Sequence, residues 1–572
     1  MLPVRYEFFL ASALEKVFPN ERPAVMAEGS RLSCWRGTRA SVQLVYFAEP
    51  VDTCLRTNLR FDIQAEGAPV QPTLRTVELI PVHLPAFETA DDMYLRYEPG
   101  LFPDLLQPMD EPIVTPHLHQ YHSVWLTFDV PADAEPGLYT VKVTAKARYF
   151  DESPTGKPEI SPEAEGLAFT NTFTLNVCRA EMPEQKLIHT EWFHSDCLCH
   201  YYGVEAMSEE FWQIAENFIS RAAKHGINMI LTPIFTPPLD TAVGKERLTV
   251  QLIDISAKDG HFTFDFTKLD RWLAICRKSG VRYLEIPHFF TQWGATATPK
   301  IVATIDGREH RLFGWDMPAT SMMYRAFLEE LIPALQEALE RNGYDKQHVY
   351  YHVSDEPNID QLPAYRAARA VITDLLEGCP IIDALSNVEF YHQGVVEHPV
   401  PSNDHIKPFL EAKVKDLWTY YCCGQGNIVP NRFIAMPSAR NRIMGPLMYY
   451  NNIVGFLQWG YNFYNSRCSG HPINPFMQPD NDYAYPAGDS FIVYPGPDGA
   501  PLDSLRAEVQ YDGFLDMRAL QLLETVAGRD AAEKALFEGI TEAMAFDDYP
   551  RDASYLLALR ERVADAIDAA VN

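Results

Sequence analysis

Positive charge is scarce in this sequence: 77 acidic side chains stand against 48 lysines and arginines among 572 residues, a net charge of −29. Such a surface repels a phosphate backbone, so no nucleic-acid partner is expected, while an uncharged ligand is compatible with it. Long apolar runs are missing too. No uninterrupted stretch is long enough to cross a bilayer, so no membrane span is expected. Neither standard glycine-rich phosphate cradle occurs, and no cofactor is expected. No Gly-x-Ser-x-Gly elbow marks a serine nucleophile. The ten cysteines follow no regular spacing. Cys197-Leu198-Cys199 and Cys422-Cys423 sit too close together for a disulfide ladder, and reduced thiols in a cytoplasmic protein fit them better. At the amino terminus, Glu7 and Glu15 bracket a short apolar core, and no strong basic region precedes it. That stretch reads as a folded first strand or helix rather than a secretory signal, although a secreted form with its signal removed stays open.

What is present is enough apolar material for large cores: 47% of residues are hydrophobic and 22% charged. The length predicts two or three domains. Up to residue 180 the pattern is all-β, and a β-sandwich is expected there. Short alternating segments at 41–47, 123–128 and 139–144 recur between Pro/Gly-rich turns, residues 151–165 read as a hairpin loop, and a last strand covers 169–177. From residue 186 strands alternate with helices. Strands are expected at 187–194, 227–234, 281–287, 349–355, 381–387, 414–421, 455–461 and 490–494. Helical periodicity fills 209–224, 269–279, 321–341 and 362–376. This order predicts a TIM-type (β/α)8 barrel over 186–505, followed by a helical segment over 506–572.

Ser354-Asp355-Glu356-Pro357 closes the apolar run Val349-Tyr350-Tyr351-His352-Val353. Two carboxylates thus lie side by side at a strand end, where a barrel keeps its active site. Asp355 and Glu356 are the candidate acid/base pair; capping the helix expected near Asp360 is the other use they could have. The remaining strand ends carry aromatics mixed with amides, acids and histidines: Trp192-Phe193-His194, Glu285 with Trp293 downstream, Asn387, Trp418-Thr419-Tyr420 and Gln458-Trp459-Gly460-Tyr461. Flat rings cover the apolar face of a sugar while polar groups read its hydroxyls. His194, Asn387, Trp418, Tyr420, Trp459 and Tyr461 are therefore the candidate substrate-binding residues, with core packing the competing role for each aromatic. His117, His119 and His122 have metal-like spacing without a carboxylate cluster, and His194, Asp196 and His200 suit sugar contact as well as zinc. No metal site is expected.

Together these residues resemble glycoside hydrolase family 123, the β-N-acetylgalactosaminidases. The resemblance rests on Ser354-Asp355-Glu356-Pro357, Trp418-Thr419-Tyr420-Tyr421, the stretch Gly455 to Asn462, Gly488-Asp489-Ser490 with Tyr494-Pro495-Gly496, and the Pro131 to Tyr139 segment. It is strongest over 187–522. It implies exo-acting removal of terminal β-linked N-acetylgalactosamine from a glycan or glycolipid. The 2-acetamido group would be the nucleophile, Glu356 the acid and then the base, and Asp355 the acceptor of the acetamido N–H. For both acids to reach one sugar the chain must bend at Glu356, and Pro357 gives it reason to. Two alternatives stand beside this: a conventional retaining enzyme with Glu285 facing Glu356, and a carbohydrate-binding barrel without turnover.

Overall fold

The computed structural model describes residues 4–51, 59–149 and 166–571. The hairpin loop expected at 151–165 lies outside the described residues. The molecule is a multidomain mixed sheet and helix protein, with strands gathered at its amino-terminal end and helices at its carboxyl end.

The first ten strands, from Val4–Ser12 to Ala168–Glu181, make two five-stranded sheets. Val4–Ser12 pairs antiparallel with Arg39–Pro50, Leu10 opposite Leu44. β-branched and aromatic residues alternate along these strands, as a pleated, half-buried surface requires. Val42, Leu44 and Val124 from one sheet share a core with Phe61, Val143 and Phe173 from the other. On the opposite side of the first sheet, Val77 and Trp125 enter the core of the following part of the chain. Buried ion pairs fix the two parts together: Arg75 meets Asp503 at 2.6 Å, and Arg506 meets Asp104 at 2.9 Å.

Beyond residue 187, the strands Ile188–Glu191, Met229–Leu231, Tyr283–Glu285, Val349–Tyr350, Trp418–Tyr420 and Gly455–Gln458 form one six-stranded sheet, parallel throughout. Ile382–Ala384 and His398–Val400 form a second, two-stranded parallel sheet. Isolated parallel bridges join the two sheets, Tyr351 to Ile381 at one seam and Ser402 to Tyr420 at the other. Helices Glu209–Lys224, Thr267–Ser279, Met322–Arg341 and Leu362–Ala370 fill the connections where periodicity predicts them. The first shows why: the Ser208 hydroxyl caps it, accepting from Phe211 N, and its Phe211, Trp212, Ile214 and Phe218 face is buried.

One strand expectation is corrected, and further strands are added. No long strand forms at 490–494; only Tyr494–Pro495 is extended, and it pairs antiparallel with Pro501–Leu502. His398–Val400 is a strand the sequence pattern hides, because Pro399 breaks a run only three residues long. A four-stranded sheet of Asp254–Lys258, His261–Asp265, Ile301–Ile305 and Arg308–Phe313 is a further element that the pattern did not reveal. At the carboxyl end, Leu505–Ala527 is buried along most of its length. It crosses Met444–Tyr450 backbone to backbone: a Cβ on Gly445 would stand 1.8 Å from Gly513 O, so only glycine fits.

Candidate active site

The chain continues past the strand Val349–Tyr350 to Ser354, whose hydroxyl donates to Thr291 O at 2.8 Å. At Glu356 the backbone turns left-handed, with φ +42°, and Glu356 N donates to Ala384 O at 3.0 Å. In an extended chain neighbouring side chains point to opposite faces. The left-handed residue cancels that alternation, and Asp355 and Glu356 line one cavity of about 320 Å³. Neither acid caps the following helix. Asn358 does so, its Oδ1 accepting from Asp360 N at 3.0 Å and Gln361 N at 3.2 Å.

Asp355 is half-buried and Glu356 is reached by solvent through the cavity, but protein encloses both on their other sides. Burial pushes the pKa of Asp355 well above the usual carboxylate range, and the Glu356 charge beside it adds to the rise. Burial likewise raises Glu356, opposed by a hydrogen bond from the Tyr420 hydroxyl to Oε1 at 2.5 Å. The pair therefore retains a proton more readily than free carboxylates do.

Below it lies a buried polar layer. His352 sets Nε2 2.6 Å from Glu285 and Nδ1 3.2 Å from Asp383. Burial opposes charge on this imidazole, but the two carboxylate contacts win and raise its pKa to about 9. With an N–H toward each acid, His352 is a cation, and its charge opposes the rise at Asp355. Glu285 is fully buried and engaged three ways, by Thr190 Oγ1, by Trp192 Nε1 at 2.8 Å and by His352.

Tyr420 and Trp459 line the cavity beside the acid pair. Trp459 is half-buried, and its Nε1 donates to Asp489 Oδ2 at 3.0 Å. The other four candidate contacts sit elsewhere. His194 is buried behind the wall. Its Nε2–H donates to Trp459 O at 2.9 Å and its Nδ1 accepts from Arg247 at 3.1 Å. Burial and the adjacent Arg247 lower its pKa to about 3, so it is a neutral strut for Trp459. Asn387 Oδ1 accepts from Glu389 N at 2.9 Å, just ahead of a short helix. Trp418 stands at the start of its strand, buried against Tyr350, with its ring occupying the space a side chain on Gly455 would need. Tyr461 points outward, its hydroxyl donating to Phe218 O at 3.1 Å.

The model for "Glycoside hydrolase 123, catalytic domain" matches residues 192–523. The chain belongs to glycoside hydrolase family 123. It is a glycoside hydrolase. Among solved structures, a family 123 glycoside hydrolase from Clostridium perfringens, described for glycolipid glycan hydrolysis, superposes with a TM-score of 0.71 at 14% identity, covering 99% of this chain and 98% of that one. An Ig-like-domain GH10 xylanase from termite gut overlaps only loosely, at TM-score 0.32 and 10% identity over 88% of this chain and 100% of that one. So does a putative β-galactosidase from Bacteroides fragilis, at 0.31 and 10% over 87% and 60%. No curated protein matches the sequence.

Sequence reading missed several groups that line this cavity. Asp240, Gln292 and Tyr485 line the cavity from loops, Arg467 from a short 3-10 turn, and Phe87 reaches it from the segment between the strands Thr73–Val82 and Gly100–Pro108. Buried Asp240 Oδ2 and Gln292 Nε2 have no hydrogen-bond partner among the described residues, which leaves an acceptor and a donor for a ligand. No local motif announces them; only the loop geometry does. Among the described residues two metal-like clusters occur, neither of them at His117, His119 and His122 nor at His194, Asp196 and His200: His288, His352 and Asp383 form one, and His225, Asp503 and Glu508 the other. Cations already serve both, His352 itself in the first and Arg75, near Asp503 and Glu508, in the second. Arg247 likewise occupies Asp196, at 2.8 Å, beside His194.

Proposed function

We propose that this enzyme is an exo-acting β-N-acetylgalactosaminidase that removes terminal β-linked sugar from a glycan or glycolipid by substrate assistance, with retention. The observation that carries the reading is the left-handed Glu356, which turns two successive carboxylates into one cavity. We read the two parallel sheets as the staves of a (β/α)8 barrel, with this cavity at the carboxyl ends of its strands.

In this scheme Glu356 gives its proton to the glycosidic oxygen while the acetamido carbonyl oxygen attacks C1. The C1–O bond breaks and the aglycone leaves as an alcohol. Asp355 accepts the acetamido N–H and offsets the positive charge of the closing oxazolinium ring, a preorganised electrostatic role. Water then attacks C1, Glu356 takes its proton, and the acetamide is restored with net retention. Trp459 and Trp192 flank the sugar, and Asp240 and Gln292 read its hydroxyls with their free polar atoms. Glu285 is a poor nucleophile for the conventional alternative, since three donors hold it inside the polar layer. The glycolipid reading of the substrate draws on what is said of the Clostridium perfringens relative.

A screen of 4-nitrophenyl glycosides tests the proposal. Cleavage of β-N-acetylgalactosaminide, in preference to β-N-acetylglucosaminide and without cleavage of β-galactoside or β-glucoside, is expected. Efficient cleavage of the plain hexosides would sink it, because they carry no acetamide.

A further inference from the structure

Cys422 and Cys423 are adjacent thiols that no step of the chemistry above uses. They follow the strand Trp418–Tyr420. Alternation along an extended chain puts Cys422 on the side of Tyr420, which meets Glu356, and would turn Cys423 away. The chain enters a turn here instead, Gln425 N donating to Cys422 O at 3.2 Å. Both cysteines therefore line the catalytic cavity beside Glu356 and Trp459. Cys34, Cys178, Cys197, Cys199 and Cys276 are buried, whereas Cys422 and Cys423 are partly exposed.

A hydrogen bond to Cys423, then burial, then nearby negative charge that includes Glu356 push the pKa of Cys422 well above that of a free thiol. Cys422 thus stays protonated, and the first nucleophile of the pair is Cys423. Adjacent Cα atoms sit about 3.8 Å apart, below the usual range of about 4.4–6.8 Å for a disulfide. A bond between these sulfurs closes a small, strained ring around the Cys422–Cys423 peptide, and strain makes a disulfide easy to reduce.

That peptide is tied into the cavity wall. Cys422 N donates to Gln425 Oε1 at 2.9 Å, and Asn431 Nδ2 donates to Cys422 O at 2.9 Å. Cys423 N donates to the Asp489 carboxylate, which also accepts from Trp459 Nε1 at 3.0 Å. Closing the ring turns the peptide and disturbs the support of Trp459. Asp240, Asp355 and Glu356 line the same cavity, and the chain carries a net charge of −29. An anionic oxidant is repelled there, while a small uncharged one is admitted.

We propose that Cys422 and Cys423 are an oxidation site in the catalytic wall: hydrogen peroxide, or another small uncharged peroxide, closes them to a vicinal disulfide that suppresses turnover until a thiol reduces it. The Cys423 sulfur attacks one peroxide oxygen, the O–O bond breaks, and the leaving hydroxide takes the thiol proton as water. The Cys422 sulfur then attacks the resulting sulfenic acid, the S–O bond breaks, and a second water leaves with the Cys422 proton. Two thiols are oxidised and one peroxide is reduced. The site stands on its own geometry; its effect on turnover rests on this cavity being the catalytic one, as proposed above.

The test treats the reduced enzyme with hydrogen peroxide, removes the excess with catalase, and reads peptide masses beside hydrolysis of 4-nitrophenyl β-N-acetylgalactosaminide. The peptide holding Cys422 and Cys423 should become lighter by two hydrogens, with most activity lost and then regained in dithiothreitol. A peptide that stays unchanged, or a disulfide to Cys468 instead, overturns the proposal whether or not that glycoside is cleaved. A vicinal disulfide that leaves turnover intact, or a loss that dithiothreitol does not reverse, also overturns it. Cys423→Ala should keep its own untreated activity through the same exposure, and an equal reversible loss in that variant would contradict the assignment. Absence of cleavage before any peroxide is added would instead count against the catalytic reading, and the peptide masses would still decide the site.

Discussion

Tyr420 donates its hydroxyl hydrogen to Glu356 Oε1 at 2.5 Å, across 64 residues of sequence. This bond stabilises the ionised carboxylate and opposes the rise that burial imposes on Glu356. In Tyr420→Phe that opposition is lost, so the pKa of Glu356 rises further. Glu356 must be protonated to act as the acid, so the alkaline limb of kcat/KM should move to higher pH. A limb that stays in place, with activity lost uniformly, would mean that Tyr420 only shapes the cavity.

Glu356→Gln removes the acid and keeps the shape. General acid catalysis supplies on the order of 100- to 10,000-fold, and an activated leaving group needs less of it. Turnover should fall by that range on an oligosaccharide and by much less on a 2,4-dinitrophenyl glycoside. Equal losses on both would make Glu356 structural.

Trp459 lines the cavity while His194 and Asp489 hold it from behind. Trp459→Ala should raise KM about tenfold by removing a stacking wall, with cooperative melting retained. Loss of the melting transition would show that the ring belongs to the core instead.

These residues differ in how plainly the sequence displayed them. Asp355 and Glu356 were visible because two acids at the end of an apolar run are out of place in a core. Tyr420 and Trp459 followed from the same strand-end logic. Trp418 and Tyr461 did not reach the cavity because a strand end does not state its facing: Trp418 begins its strand, and Tyr461 lies past the end of Gly455–Gln458, turned toward Phe218. His194 and Asn387 spend their polar atoms on other parts of the chain. Three helices with an apolar face, Glu209–Lys224, Thr267–Ser279 and Met322–Arg341, were legible to within two residues, while the helix expected at 362–376 ends at Ala370. His398–Val400 was not, since three residues with a proline carry too little pattern, and the Phe491 to Tyr494 run imitated a strand. Asp240 and Gln292 lie on loops whose course depends on contacts far away in sequence.

Asp489 is fully buried under Trp459, and burial lifts its pKa from 3.8 to about 7, although Arg432 opposes the shift. The folded state therefore binds the extra proton between those values. The stability this group contributes is present below 3.8 and lost as the pH climbs through about 7. Asp489→Asn stays neutral throughout, so its Tm relative to the unmodified enzyme should be higher at pH 8 than at pH 5. A difference that does not change with pH would contradict this assignment.

The central claim is that the acetamide of the substrate is the nucleophile, with Asp355 assisting it. A series of 4-nitrophenyl β-N-acetylgalactosaminides bearing none, one, two or three fluorines on the acetyl group isolates that step, because the leaving group is constant and only the carbonyl oxygen weakens. The account predicts that kcat falls progressively along the series. A kcat that stays level from acetyl to trifluoroacetyl would contradict it and return the nucleophile to a carboxylate of the protein.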